Sequence, residues 1–252
     1  PGPSAATPII WQDTVFISTT DRATRSLHAL ALDRRTGRVL WNHKVSDGYA
    51  RDDRSNFAGP SPVTDGKHVF FYYGNGEMAA FDFAGKKRWS KNLGPFAFLW
   101  TYSTSPLLYD GRLYIQNLQR NVPVSGRGRR DGPNDSWLLA LEPATGQELW
   151  RHVRPSEARE ESLEAFSTPI PHVHAGRAEI LVVGGDCLTG HDPATGREYW
   201  RWGSWNPSRI GHWRLVPSPV AGAGVALACA PKGSPVFAVK LGQQGNLDDR
   251  GL

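Results

Sequence analysis

The stretch Ala31-Leu-Asp33-Arg-Arg-Thr36-Gly37-Arg-Val-Leu-Trp41 recurs along this chain and decides its fold. It consists of a small residue, an acid two places on, a turn centred on glycine and then a tryptophan. Three further copies keep this order, and they run from Ala80 to Trp89, from Ala140 to Trp150 and from Gly190 to Trp200. Repetition at intervals of a few tens of residues indicates an array of similar supersecondary units.

A second phrase, Ser or Thr followed by Pro and an aliphatic residue, precedes each copy. It occurs five times, beginning at Thr7, Ser61, Ser105, Thr168 and Ser218, and the fifth is not followed by a copy of the tryptophan stretch. Tight polar turns such as Asp65-Gly66 and β-rich runs come after it. An Asp-Gly pair between apolar runs predicts a hairpin, because glycine accepts the positive φ of the turn. Each unit is therefore predicted to be two successive hairpins, whose four antiparallel strands we name A to D.

Four-stranded units at this spacing predict an all-β fold, a β-propeller. The predicted blades cover about 5–45, 58–93, 102–154, 165–204 and 215–252, and the fifth is incomplete. A chain of 252 residues is long enough for one large all-β domain. The segments show β-branched, aromatic and turn residues rather than a 3.6-residue period, which disfavours a helical solenoid.

Each position in the tryptophan stretch has a predicted structural task. The acid should accept hydrogen bonds from backbone N–H groups of the following turn, and the glycine should adopt the left-handed conformation. The tryptophan should fill the space that the small residue leaves for a neighbouring blade, and its indole N–H should bond a backbone carbonyl. Replacing any of the four by alanine should cost about 3 to 5 kcal/mol. These structural residues are Asp33, Gly37, Trp41, Asp82, Gly85, Trp89, Glu142, Gly146, Trp150, Asp192, Gly196 and Trp200.

The repeated stretch resembles the PQQ-type (pyrroloquinoline-quinone-type) propeller repeat, whose tryptophan-docking motif is Ala-x-Asp-x-x-Thr-Gly-x-x-x-Trp. The first and third copies fit almost letter for letter, with Glu142 in place of Asp. The fourth has Gly190 in the Ala position, and the second is one residue shorter and lacks the Thr. The resemblance implies seven or eight blades, so we expect this chain to supply four blades and three strands of a fifth, with the missing blades in the same polypeptide.

The resemblance implies two classes of function. Quinoprotein dehydrogenases bind PQQ and calcium in the central channel and oxidise alcohols or sugars, and a typical member carries adjacent cysteines. Non-catalytic relatives, among them the outer-membrane assembly lipoprotein, serve as interaction platforms. Because Cys187 and Cys229 lie far apart, we expect a non-catalytic scaffold that binds protein or carbohydrate, with no catalytic residue. The alternative is a dehydrogenase dependent on PQQ and calcium. A periplasmic or secreted location follows from the resemblance alone.

Strand alternation places the A–B and C–D turns on one face and the B–C and D–A connections on the other. We expect the second set to be long and varied, with D–A loops at about 42–60, 90–104, 151–167 and 201–217 and a B–C loop at about 117–136. Long loops on a rigid scaffold commonly bind ligands, and arginine with aromatic residues suits anionic or sugar-like ones. The candidate binding residues are Arg51, Arg54, Trp100, Arg127, Arg129, Arg130, Trp205, Arg209 and Trp213. Acidic residues are interleaved with these arginines, so the alternative interpretation of this face is an ordinary solvated surface.

Other features narrow the choice of partner. The net charge of +5 fits an anionic partner or a solvated surface. The basic segment Gly126–Gly132 is short and lies in a predicted hairpin loop, so we interpret it as a loop insertion and expect no nucleic-acid partner. His172 and His174 have no third ligand nearby in sequence, and no metal site is predicted. No apolar run approaches the roughly 18 residues of a membrane helix.

Overall fold

The computed structural model describes residues 2–50, 55–231 and 233–252, and it is an all-β protein built as a β-propeller. The prediction of fold class is confirmed. The strands are β1 (Ile9–Trp11), β2 (Thr14–Asp21), β3 (Ser26–Asp33), β4 (Val39–Asp47), β5 (Val63–Thr64), β6 (His68–Tyr72), β7 (Glu77–Asp82), β8 (Lys87–Asn92), β9 (Leu107–Tyr109), β10 (Arg112–Asn117), β11 (Trp137–Leu141), β12 (Glu148–Val153), β13 (Ile170–His174), β14 (Arg177–Gly184), β15 (Cys187–His191), β16 (Glu198–Trp202), β17 (Val220–Gly222), β18 (Val225–Cys229), β19 (Val236–Lys240) and β20 (Gly245–Asn246). In the described residues, β1–β4, β5–β8, β9–β12 and β13–β16 form blades 1 to 4, β17–β19 form blade 5, and β20 adds a fifth strand to the sheet of blade 4.

Helical structure is limited to two 3-10 turns, Glu160–Leu163 and Asp249–Gly251, within the described residues. Neither of them has the length or hydropathy of a bilayer-spanning helix.

Each complete blade is an antiparallel meander whose strands follow chain order. In blade 2, for example, β6 pairs with β7 through Phe70 and Ala80, and β7 pairs with β8 through Ala80 and Trp89. Among the B–C connections whose residues are all described, that of blade 3 is the long one and covers 118–136, whereas in blade 4 the connection is the pair Gly185 and Asp186. The expectation of long B–C loops was therefore too broad, because a two-residue turn is enough to join adjacent antiparallel strands.

The fifth blade contains β17, β18 and β19 in that order. After β19 the chain turns at Gly242 and Gly245, both with positive φ, and β20 pairs in parallel with β16 of blade 4. Blade 4 thereby gains a fifth, parallel strand at the edge that β16 would otherwise leave unpaired.

The hydrophobic core lies between blades and is contributed by both faces of the inner strands. Along β6, Val69 and Phe71 pack in the cluster shared with blade 1, while Phe70 and Tyr72 pack in the cluster shared with blade 3. Successive strand residues point to opposite faces. A continuous run of apolar residues is thus what a strand buried on both sides requires.

The tryptophans of the first three copies contact the next blade. The indole N–H of Trp41 donates to the Phe83 carbonyl at 3.0 Å, Trp89 donates to Pro143 at 2.7 Å and Trp150 donates to Pro193 at 3.2 Å. All three acceptors directly follow the acid of the next copy. The acids accept backbone N–H groups as expected, for instance at 2.8 Å from Thr36 to Asp33. The four glycines, Gly37, Gly85, Gly146 and Gly196, all have positive φ.

The space for each of the first three tryptophans is provided by the turn glycine of the next copy rather than by the small residue. A Cβ on Gly146 would lie 2.7 Å from the ring of Trp89, and a Cβ on Gly196 would lie 2.4 Å from the ring of Trp150. The small residue Ala140 instead lies opposite Trp150 within the same blade. The expected role of the small residue was wrong, because antiparallel register fixes it beside its own tryptophan.

The fourth copy differs from the others. Trp200 is 1% exposed, and its indole donates to Oε2 of Glu179 at 2.7 Å within the same blade, not to a carbonyl. A Cβ on Gly190 would lie 2.3 Å from the indole nitrogen. Glycine in the alanine position is therefore required by the inward placement of Trp200.

The Ser/Thr-Pro phrases link the inner strands from blade to blade. In the first four phrases, the backbone N–H of the Ser or Thr donates to the hydroxyl of the equivalent residue one blade further on. These contacts run from Thr7 to Ser61 (2.9 Å), Ser61 to Ser105 (2.9 Å), Ser105 to Thr168 (3.2 Å) and Thr168 to Ser218 (2.9 Å). The proline that follows has no N–H of its own, so the phrase presents one donor and one acceptor at each step.

Candidate functional site

The D–A loops 93–106, 154–169 and 203–219 and the B–C loop 118–136 lie on one side of the propeller, and we call them the long-loop face. Buried Glu164 joins several of these loops. Its Oε1 accepts from Nε of Arg120 at 2.7 Å and from the backbone N–H of Leu99 at 2.9 Å. Burial raises the pKa of Glu164, and the Arg120 guanidinium opposes that rise. The D–A loops of blades 2 and 3 and the B–C loop of blade 3 are thus held by one charged group.

Two of the predicted binding residues pack close to this pair. Arg127 donates to the carbonyls of Phe98, at 3.2 Å, and of Leu99. Trp100 receives the guanidinium of Arg214, which lies 5.2 Å from its ring centroid and also pairs with Glu161. Arginine next to an aromatic ring was predicted here, but its contacts fix the loops to one another.

The other predicted residues are dispersed. Arg129 and Arg130 are exposed, and the Asn134 side chain bonds both the N–H and the carbonyl of Arg129. Trp205 is 6% exposed and packs on Trp202, with 5.5 Å between ring centroids.

Arg209 forms an ion pair with Glu157, and half-buried Trp213 packs against the core of blades 3 to 5. Arg51 and Arg54 lie outside the described residues.

A cleft of about 640 Å³ opens between blades 3 and 4, and the carbonyl of Cys187, one of its lining residues, accepts a hydrogen bond from buried Arg154. Arg154 is 1% exposed, and it donates to the carbonyls of Gly184 and Cys187, both at 2.8 Å, and to Oγ1 of Thr189 at 2.9 Å. Burial lowers the pKa of this guanidinium. Arg154 lies in the predicted D–A loop 151–167 but is not among the candidate binding residues, and its position four residues after Trp150 does not predict its insertion into the next blade.

Asp186 lines the same cleft and has a strongly altered pKa. Burial raises the pKa of Asp186 to about 6. The hydrogen bond of 2.7 Å that its Oδ2 accepts from Asn206 acts in the opposite direction and lowers the pKa. A carboxyl with such a pKa can change protonation near neutrality. It lies in the two-residue turn between β14 and β15, which gave no sequence signal.

One group of possible metal ligands occurs among the described residues, namely His152, His191 and Glu198. Their ligand atoms lie within 4.8 Å of one another. However, both ring nitrogens of His191 have protein partners, Thr189 at 2.8 Å and the Gly196 carbonyl at 3.1 Å. Arg201 engages both carboxylate oxygens of Glu198. A metal ion would have to displace these bonds, so the cluster is better described as a hydrogen-bonded network.

The donor groups of the long-loop face do not fit PQQ and calcium. Calcium takes about six to eight oxygen ligands. Three glutamates of this face are instead bound to arginines, namely Glu157 to Arg209, Glu161 to Arg214 and Glu164 to Arg120. Cys187 and Cys229 are unpaired thiols and not a ring of adjacent cysteines. Within the described part of the chain, these residues do not make a site for calcium-bound PQQ.

A family model described as outer membrane protein assembly factor BamB matches residues 2–123 and 134–207. The chain belongs to this family. Its members are PQQ-like repeat propellers, in agreement with the resemblance of the tryptophan stretches. No curated protein matches the sequence significantly.

Solved structures of two kinds share the fold. BamB from Moraxella catarrhalis superposes with a TM-score of 0.56 at 18% identity, over 92% of this chain and 56% of that one. Quinohemoprotein alcohol dehydrogenase from Comamonas testosteroni gives 0.59 at 16% identity, over 96% and 42%. A europium-containing methanol dehydrogenase gives 0.62 at 12% identity, over 94% and 49%. The chain spans about half the length of these structures, and the similarity concerns the fold.

Proposed function

We propose that this PQQ-like propeller is a non-catalytic scaffold that binds a protein partner through its long-loop face, in an extracytoplasmic compartment. The observation that carries the proposal is the buried Glu164–Arg120 pair. It fixes loops of blades 2 and 3 before any partner arrives, and a surface ordered in advance loses less conformational entropy on binding. The match to the BamB family supports a protein partner.

Charge on this face also supports the proposal. The acids Glu157, Glu161 and Glu164 are all paired with arginine, whereas Arg130 is exposed and has no ion pair among the described residues. An unpaired cation at the rim of an interface favours an acidic partner surface and accelerates association. We therefore expect the partner to present carboxylates to the B–C loop of blade 3.

The test compares the two faces of the propeller. A photo-crosslinking residue replaces Arg130 on the long-loop face or, as the control, exposed Arg35 on the opposite face. The captured protein is then purified, and its affinity is measured for the wild type, Arg130→Glu and Arg35→Glu. We expect crosslinking from position 130, a loss of affinity of about tenfold in Arg130→Glu and little change in Arg35→Glu. Equal losses in both variants would contradict the proposed face.

The dehydrogenase alternative is tested separately. PQQ with calcium is titrated into the protein, with quinone absorbance and tryptophan fluorescence as readouts. Saturable one-to-one binding, followed by dye-linked oxidation of alcohols or sugars, would replace the scaffold proposal.

A further inference from the structure

The cleft between blades 2 and 3 contains a buried polar side chain that the protein does not satisfy. The cleft has a volume of about 270 Å³, and Asn117, Trp137, Asp135 and Arg129 are among the residues that line it. Asn117 is fully buried, yet neither its amide nitrogen nor its amide oxygen has a hydrogen-bond partner. A buried amide without partners is costly, and such groups are rare in folded proteins.

The other amides around this cleft are fully used. Oδ1 of Asn92 accepts from the Gly94 N–H at 2.7 Å, and its Nδ2 donates to Glu77 at 2.8 Å. Oε1 of Gln119 accepts from the Ala97 N–H at 2.8 Å, and its Nε2 donates to the Asp135 carbonyl at 2.9 Å. Of the three side-chain amides described as lining this cleft, Asn117 is thus the one whose nitrogen and oxygen both lack a partner.

The clefts between blades 2 and 3 and between blades 3 and 4 differ in the residue four positions after the tryptophan. There Arg154, four residues after Trp150, enters the next blade and bonds Gly184 and Cys187. Four residues after Trp89 the chain has Leu93, which lines the cleft between blades 2 and 3 but offers no polar atom. The cleft between blades 2 and 3 therefore lacks the internal side chain that supplies hydrogen bonds in its neighbour.

The groups around this cleft indicate the chemistry of a ligand. The amide of Asn117 offers both a donor and an acceptor, exposed Asp135 offers acceptors and exposed Arg129 offers donors. An anion would satisfy only the donors and a cation only the acceptors, whereas a hydroxyl group both donates and accepts. Trp137 and Phe96, with ring centroids 6.5 Å apart, supply the aromatic part of the lining, and the guanidinium of Arg151 lies 4.6 Å from the Trp137 ring centroid. The volume lies just below the range of about 300 to 1,000 Å³ of drug-sized pockets, so the ligand must be small.

We propose that the cleft between blades 2 and 3 binds one pyranose ring of a carbohydrate, with the Asn117 amide bonding its hydroxyl groups. This cleft opens on the long-loop face, because Arg129 and Asp135 of the B–C loop of blade 3 line it beside Arg130. Sugar binding is measured without the protein partner, so its failure is distinguishable from a failure of the proposed protein interface.

Three variants test the proposal. Asn117→Leu removes the amide. Gln116→Leu is the matched control, because Gln116 is the neighbouring residue of β10, is equally buried and does not line the cleft. Its Oε1 also lacks a partner, but its Nε2 donates to the carbonyl and hydroxyl of Ser167 at 3.1 and 3.0 Å. Val153→Arg fills the mouth of the cleft from a residue that is 49% exposed. Glucose, N-acetylglucosamine and glucuronate are titrated by calorimetry and by saturation-transfer NMR, and Tm is recorded for each protein.

We expect saturable binding to the wild type and a loss of about tenfold or more in Asn117→Leu and Val153→Arg. Asn117→Leu should keep or raise Tm, because it removes an unsatisfied buried amide. Gln116→Leu should lower Tm and leave the affinity of the folded protein unchanged. The absence of saturable binding to the wild type would overturn the proposal, as would binding that survives both cleft variants. Binding of glucuronate alone would instead indicate an anion site at Arg129, and a fall in Tm for Asn117→Leu would show that the protein satisfies the amide.

Discussion

Replacement of Trp200 by phenylalanine should be far more destabilising than the same change at Trp202. Both tryptophans lie on β16 and both are 1% exposed. Trp200 donates at 2.7 Å to Glu179, which is itself 1% exposed, whereas Trp202 donates at 3.3 Å to exposed Asp249. The two variants lose the same atoms from equally buried positions, but only one leaves a buried carboxylate oxygen without its donor.

The structure sets the size of the difference. Loss of the larger ring should cost about 1 to 2 kcal/mol in either variant. Trp200→Phe also leaves Oε2 of Glu179 unpaired, since the described contacts of Arg177 reach Oε1. A hydrogen bond to a charged group is worth about 1.5 to 3 kcal/mol. Trp200→Phe should therefore cost about 3 to 5 kcal/mol and Trp202→Phe about 1 to 2 kcal/mol, because water can solvate Asp249.

Urea unfolding followed by far-UV circular dichroism measures both variants at neutral pH. Glu179→Gln, alone and in the Trp200→Phe background, completes a double-mutant cycle, and we expect a coupling energy of more than about 1 kcal/mol. Equal costs for the two tryptophans would refute the reasoning, since they would show that the Glu179 carboxylate does not depend on the indole of Trp200.

Further variants test the turns and the buried titratable groups. Gly196→Ala should lower stability by about 1 to 3 kcal/mol more than Gly111→Ala in thermal unfolding, because both have positive φ but only at Gly196 would a Cβ strike the ring of Trp150. Burial raises the pKa of Asp186 to about 6, so the wild type should lose stability relative to Asp186→Asn as pH rises from about 4 to about 6; parallel pH profiles in urea unfolding would contradict this. Burial lowers the pKa of His191 to about 3, so its contribution should be complete above pH 6.5 and decline as pH falls toward 3. A wild type and His191→Gln with identical acid-unfolding curves would disprove it.

The blade architecture was predictable because its signals are local. Asp65-Gly66 and the Thr-Gly turns fix where the chain reverses, and the apolar runs between them fix which segments pair. The acid of each copy bonds the turn that immediately follows it, as Asp33 does with Thr36. Contacts over two or three residues depend on residue type and can be inferred from one sequence.

The interior of the long-loop face was not predictable in the same way. Glu164 and Arg120 are 44 positions apart, and Arg154 reaches residues 30 or more positions away. On sequence alone these charges are indistinguishable from solvated surface residues such as Arg130. Only the relative placement of three loops decides which arginine is buried, and no local pattern encodes that placement.

The differences among the four copies show how the contacts between blades are made. In the first three copies the indole N–H bonds the blade that follows, so each of those interfaces depends on the turn of its neighbour. In blade 4 the carboxylate of Glu179 replaces that external carbonyl, and Arg177 links the same carboxylate to the carbonyl of Gln243. Gly190 in place of alanine is the sequence difference that accompanies this change, because an alanine side chain there would collide with the indole of Trp200. Blade 4 is therefore completed by its own residues and by the segment that carries β20, and its tryptophan does not depend on a fifth Thr-Gly turn.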